Sequence, residues 1–241
     1  MSNPTAAILI IGDEILSGRT RDANAYHLAM ELIKVGIDLK EIRVVPDDHG
    51  AIGEALNSLR SDHTHVFTSG GIGPTHDDIT ADAVAAAFGV PIGIREDARA
   101  VLLEAFARAG REPNDAQLRM ARVPDGARLI ENVLSGAPGF SLGNVYVLAG
   151  VPSIFREMVA VLLPRLEHGS PLVVREVRFE FGEGRLAGPL RVLADDYPDL
   201  VMGSYPFAEQ GVHGTNIVVK GRDAARVDQA LARLQAELSS R

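Results

Sequence analysis

Val66-Phe67-Thr68-Ser69-Gly70-Gly71-Ile72-Gly73-Pro74-Thr75-His76-Asp77-Asp78-Ile79-Thr80 runs from strand to helix through three glycines and two acids. Val66 and Phe67 read as the end of a buried strand, Thr68–Thr75 as a loop, and Ala81–Phe88 as an alanine-rich helix. Glycine lets backbone N–H groups approach a ligand and accepts positive φ. The helix start adds unpaired N–H donors and the positive end of a dipole, so the crossing suits a phosphate. Asp77 and Asp78 are out of place in a pure anion cradle. They fit if a cation stands between them and the phosphate, because Mg²⁺ is held by one or two carboxylates plus phosphate oxygens. The plain alternative is a tight turn whose aspartates cap the helix. Neither common nucleotide fingerprint is present: there is no Gly-Lys-Ser/Thr, and the glycines lack G-x-G-x-x-G spacing.

Working outward, the other strand-to-helix crossings carry similar chemistry. Ala6–Ile11 is a nearly continuous apolar run, the mark of a strand buried on both faces, and it ends in Gly12-Asp13-Glu14. Asn24 reads as the N-cap of an amphipathic helix reaching Val35. Glu14 is either a solvated loop charge or part of a site. Ile37–Val45 is a second strand, followed by Pro46-Asp47-Asp48 and a helix that one of the two aspartates must cap. Asn144–Leu148 is another buried strand, ending in Ala149-Gly150-Val151-Pro152-Ser153, with Pro152 placed for a first helical turn. Alternating strands and helices predict a mostly parallel sheet with helices on both faces, a three-layer α/β fold. Ligands of such sheets bind outside the carboxyl ends of the strands. The loops at Gly12, Asp47, Gly70 and Gly150 should therefore share one rim.

Past Glu167 the pattern changes. Leu172–Phe181 alternates as a strand and Arg185–Tyr197 as a helix. Val201–Tyr205 and Thr215–Lys220 follow as strands, and Asp223–Leu238 as a last helix. This βαββα order predicts a small C-terminal α+β domain at 169–241 behind the α/β domain at 1–168.

Composition narrows the function. The 241 residues are 46% hydrophobic and 23% charged, ordinary for a globular protein with a proper core. A net charge of −8 and scattered arginines argue against nucleic acid as a partner. Cysteine is absent, which excludes disulfides, zinc–thiolate sites and cysteine nucleophiles. The histidines are not at metal-ligand spacing. No segment reaches about 18 unbroken apolar residues, so no membrane partner is expected and the expected location is cytoplasmic.

GDEILSG, PDD, TSGGIGPTHDDIT, SGAPGF and LAGVPS, in that order over roughly residues 5–166, resemble the molybdopterin-binding domain family. The likeness is to the branch of competence/damage-inducible protein A and the front of eukaryotic FAD synthases. Gly203-Ser204-Tyr205-Pro206 resembles that branch's small appended domain. The resemblance implies a pterin phosphate or nucleotide diphosphate bound on the shared rim, and a homo-oligomer. By position, Thr68, Ser69, Gly70, Gly71, Gly73, Pro74 and Thr75 would cradle phosphate. Gly12 and Glu14 would close one side, and Gly150, Pro152 and Ser153 the other. Asp78 would be the acidic catalytic or metal-linked residue, with Asp47 its partner and Asp77 a second metal carboxylate. Members that adenylylate molybdopterin tend to carry arginine where this chain has Asp77, and proline is more usual at Ala149. A carboxylate in place of that cation favours a metal-dependent pyrophosphatase of ADP-ribose or FAD-like dinucleotides, with Mg²⁺ or a similar divalent ion. A non-catalytic pterin or nucleotide module and a molybdopterin adenylyltransferase stand as alternatives.

Overall fold

The apolar run near the N-terminus forms strand β1 (Thr5–Ile11), in which every residue after Thr5 is buried. The computed structural model describes residues 3–209 and 211–239, divided into two compact units, Met1–Gly169 and Ser170–Arg241.

In the first unit a short helix, α1 (Asp13–Leu16), follows β1, then α2 (Asn24–Lys34), β2 (Asp38–Val45), α3 (His49–Asp62) and β3 (His65–Ser69). Helix α4 (Thr80–Phe88) ends at Gly89, which adopts the left-handed conformation common at helix ends. Next come β4 (Ile92–Ile94), α5 (Glu96–Arg108), α6 (Asp115–Leu118) and β5 (Arg122–Pro124). They are followed by β6 (Arg128–Ile130), β7 (Gly139–Leu142), β8 (Val145–Leu148) and α7 (Pro152–Leu162). The main sheet has the order β2-β1-β3-β8-β7-β6. β2, β1, β3 and β8 are mutually parallel, while β7 runs against both β8 and β6. The predicted mostly parallel sheet is present, and its one reversed strand, β7, begins inside Asn132–Phe140, a stretch whose Gly, Pro and Ser content reads as loop.

The sheet is buried on both faces because β1 alternates between two cores. Leu9 and Ile11 pack with Ile52 and Leu56 of α3, Val84 of α4 and Leu102 of α5. Ile8 and Ile10 pack with Leu28 and Leu32 of α2 and Phe155 and Val159 of α7. Each such fully buried side chain contributes roughly 1.5–3 kcal/mol. The helices on both faces fix the carboxyl ends of β2, β1, β3 and β8 along one edge.

Two local expectations change. Thr68 and Ser69 belong to β3 and are buried, so the glycine loop begins at Gly70. Asn24 is the first helical residue of α2, not its cap. The Asp22 carboxylate accepts from the Asn24 and Ala25 amides instead, at 3.2 and 3.0 Å, which frees the Asn24 side chain to turn inward.

The second unit contains β9 (Val173–Phe179), α8 (Glu183–Asp196), β10 (Val201–Glu209), β11 (Val212–Gly221) and α9 (Ala224–Ser239). Its antiparallel sheet has the order β10-β11-β9. Val227 and Leu234 of α9 are fully buried against Ile217 and Val219 of β11, with Leu186 and Leu193 of α8 in the same cluster. The α+β prediction holds, with a longer hairpin than the sequence pattern marks.

Candidate functional site

The chain leaves β1 for β2 on one side and later returns to place β3 on the other, so strand order reverses between β1 and β3. A crevice opens where the loops after two such strands part. Here a cleft of about 530 Å³ is lined by Gly12 and Glu14 after β1, Asp47 after β2, the Gly70–Pro74 loop after β3 and Gly150 after β8. Asp77 and Asp78 line it as well. Every lining side chain that bears charge is acidic.

The glycine loop is held from inside. Gly70 has φ +107, and a Cβ there would overlap the Ile11 carbonyl oxygen, so only glycine lets β1 and the loop lie this close. Thr80, fully buried at the start of α4, donates its hydroxyl to the Gly70 carbonyl at 3.0 Å and its amide to the Gly71 carbonyl at 3.0 Å. Asp78 closes the far side. Its Oδ1 accepts from the Gly73 amide at 2.7 Å, and its Oδ2 accepts from the Thr75 amide and hydroxyl at 2.8 and 2.5 Å. Asp78 and Thr75 therefore build the loop that lines the cleft. The Gly71 and Ile72 amides have no hydrogen-bond acceptor among the described residues. Such amides beside a helix start can bind a phosphate oxygen.

Asp48, not Asp47, caps α3, accepting from the Ala51 amide at 2.8 Å. Asp47 is left to the cleft, where its Oδ2 accepts from the Asp13 amide at 3.0 Å. Burial pushes its carboxyl above the ordinary 3.8. The Asp13 amide opposes this, while the charges of Asp13, Glu14 and Asp77 raise it further. An acid crowded by like charges and short of water is relieved by a cation.

Five expected residues lie elsewhere. Thr68 and Ser69 are buried in β3, and Thr75 acts through Asp78 rather than as cleft lining. Pro152 and Ser153 open α7 on the solvent side, and Val151 and Ile154 line the cleft beside Gly150 in their place. The helical turn starting at Pro152 carries position 154, not 153, back toward the loop.

Several contributors escaped sequence reasoning. Asn24 donates its Nδ2 to Ser69 Oγ at 2.8 Å and to the Gly150 carbonyl at 2.7 Å, tying the end of β3 to the loop after β8 from α2. Asn132 pins the loop before β7, donating to Ser135 Oγ at 2.6 Å and the Ala137 carbonyl at 2.8 Å. Met120, Asn132, Ser135 and Ala137 complete the cleft wall. The Ser135-Gly136-Ala137-Pro138-Gly139 run resembles the other rim loops in composition and was the available signal.

The fold and the site together define an α/β protein with a glycine-lined, acidic cleft at its strand reversal. The family model described as "Probable molybdopterin binding domain" matches residues 7–168, and that of the FAD synthase middle domain matches 171–241. The chain belongs to the molybdopterin-binding domain family. A protein of Archaeoglobus fulgidus is 31% identical over 97% of this chain and 98% of its own length. A protein of Symbiobacterium thermophilum named as competence-damage inducible is 33% identical over 98% of this chain, which spans 58% of that relative. The crystal structure of CinA, of unknown function, from Thermoplasma acidophilum superposes with a TM-score of 0.63 at 32% identity, covering 68% of this chain and 99% of that one. Among the described residues no helix is long and apolar enough to cross a membrane.

Proposed function

We propose that the cleft binds a nucleoside diphosphate linked to a small group and hydrolyses its pyrophosphate bond with the help of a divalent cation. The observation that carries the reading is the pairing of the free Gly71 and Ile72 amides with an all-acidic wall in one cleft. Amides alone would take a bare anion, whereas Glu14, Asp47 and Asp77 would repel one unless a cation came with it.

The residues present fit such an ion. Among the described residues no group of three or more ligating side chains converges on one point. Mg²⁺ does not need one, since it keeps waters and takes substrate oxygens beside one or two carboxylates. Asp47 and Asp77 would hold it. When bound, a divalent ion supplies Lewis acidity toward a phosphoryl oxygen and toward water. The chain itself orients the diphosphate by the loop amides and keeps the loop shaped through Asp78 and Thr80. Water's oxygen bonds to phosphorus, the bridging P–O bond breaks, and a nucleoside monophosphate and a phosphomonoester leave.

A second reading, a module that holds a pterin phosphate or nucleotide without turnover, is favoured by the commitment of both Asp78 oxygens to the loop. The test is incubation with ADP-ribose and with FAD, each with Mg²⁺, Mn²⁺ or Co²⁺, followed by chromatography for AMP. AMP release is expected. Tight pterin-phosphate binding without AMP from either compound would establish the second reading instead.

A further inference from the structure

The end of the first unit away from the acidic cleft carries another hollow, of about 520 Å³. Gly143, in the turn that precedes β8, lies on its rim, whereas Gly150 of the cleft follows the same strand. Arg128 of β6, Ser141 of β7 and Tyr146 of β8 stand directly opposite one another, so their side chains form a row on one face of the sheet. Arg165 comes from the short helical turn Leu163–Arg165 after α7, with Leu166 beside it. The row is held from beneath. The Tyr146 hydroxyl lies 3.3 Å from Nδ1 of the buried His65, and its ring packs on Phe67 with centroids 5.3 Å apart.

The charged side chains lining this hollow are Arg128 and Arg165. Both are exposed, and neither has an ion-pair or hydrogen-bond partner among the described residues. That is unexpected in a chain whose acids outnumber its lysines and arginines 32 to 24. Arginines elsewhere take carboxylates, as Arg122 does with Asp82 and Arg233 with Asp196. Two unpaired cations at one hollow raise the local potential and favour an entering anion.

We propose that this hollow is a second ligand site, for a phosphate monoester of small-molecule size, its phosphate held by Arg128 and Arg165 with the Ser141 and Tyr146 hydroxyls as further donors. A tetrahedral dianion offers oxygens in several directions, which suits two guanidiniums from different elements and hydroxyls from the sheet. A planar carboxylate is satisfied by a single guanidinium fork. The hollow has the volume of a small-molecule site, so the space beyond the phosphate takes the ester's organic part, against Leu166. The proposal is independent of the diphosphate reading, since no residue lines both hollows and this one needs no cation.

Calorimetric titration with ribose 5-phosphate, in EDTA and at fixed ionic strength, tests it, because the acidic cleft without a cation repels the same anion. The wild type should bind, and should not bind ribose. Arg128→Ala and Arg165→Ala should each weaken binding about tenfold, the scale of a lost hydrogen bond to a charged group, and Tyr146→Phe should weaken it severalfold. Both arginines are exposed and unpaired, so the melting curves of their variants by circular dichroism should match the wild type. In amide NMR spectra the ligand should shift Ser141 and Gly143 and leave Gly71 and Ile72 in place. No binding, wild-type affinity in either arginine variant, or shifts at Gly71 and Ile72 instead would overturn the site. Malonate binding as tightly as ribose 5-phosphate would overturn its assignment to phosphate.

Discussion

Asp47 and Asp78 line one cleft under opposite obligations. Three hydrogen bonds fall on Asp78, so removing it releases the Gly73 and Thr75 amides from their acceptor. Asp78→Ala should cost about 1–2 kcal/mol in urea unfolding, keep the circular dichroism spectrum and abolish ligand binding. Binding at wild-type strength would show that the loop holds its shape without Asp78. Asp47 is the strained member. Burial raises its folded carboxyl above 3.8, so the folded chain holds the proton more tightly than the unfolded one and ionising Asp47 costs stability. That cost is absent below the unfolded value, appears as pH rises through the window just above 3.8, and is complete at neutral pH. Asp47→Asn should therefore raise the melting temperature at pH 7 and leave it unchanged at pH 3. Calorimetric titration with Mn²⁺ should show affinity falling as pH drops through the same window, and the variant should lose that dependence.

At the scale of elements, the cleft depends on how closely two strand ends approach. Gly70 carries the contact between β1 and the loop after β3. Its positive φ and the Ile11 carbonyl leave no room for a side chain. Gly70→Ala should lose about 3 kcal/mol by urea denaturation and weaken ligand binding, because relief requires the loop to move off β1. A variant as stable as the parent would mean that the loop yields easily and the cleft is not preformed. Asn24 shows the same economy of position from the other face. One amide on α2 joins Ser69 of β3 to Gly150 after β8 across the floor of the site. The helix is thus both core cover and strut.

For the whole molecule, the two units have separate hydrophobic clusters: β1 and its helices in one, α8, α9 and the three-stranded sheet in the other. Leu234 is fully buried in the second. Leu234→Ala should destabilise that unit by about 2–5 kcal/mol. In scanning calorimetry one transition should shift to lower temperature while the other, and ligand affinity, stay in place. A single transition that shifts as a whole would show that the units unfold together.

The sequence by itself determined the buried parallel strands, since runs such as Ala6–Ile11 have one low-energy destination, between two layers of helices. It also marked the glycine and acid residues of the rim, because a strand-to-helix crossing constrains which residue types can bring backbone to a ligand. Only the tertiary structure decided which of those residues face the cleft. Asp47 and Asp48 are indistinguishable as neighbouring acids until α3 takes one as its cap. Asn24 reads as a cap until Asp22 takes the amides and turns it inward. Gly139 and Phe140, at the end of the Asn132–Phe140 stretch, read as loop until β6 and β8 offer strand partners. Local pattern records the periodicity and conformational freedom of a residue. The direction of a polar side chain is settled by donors and acceptors that arrive from far along the chain, and those exist only once the sheet has closed.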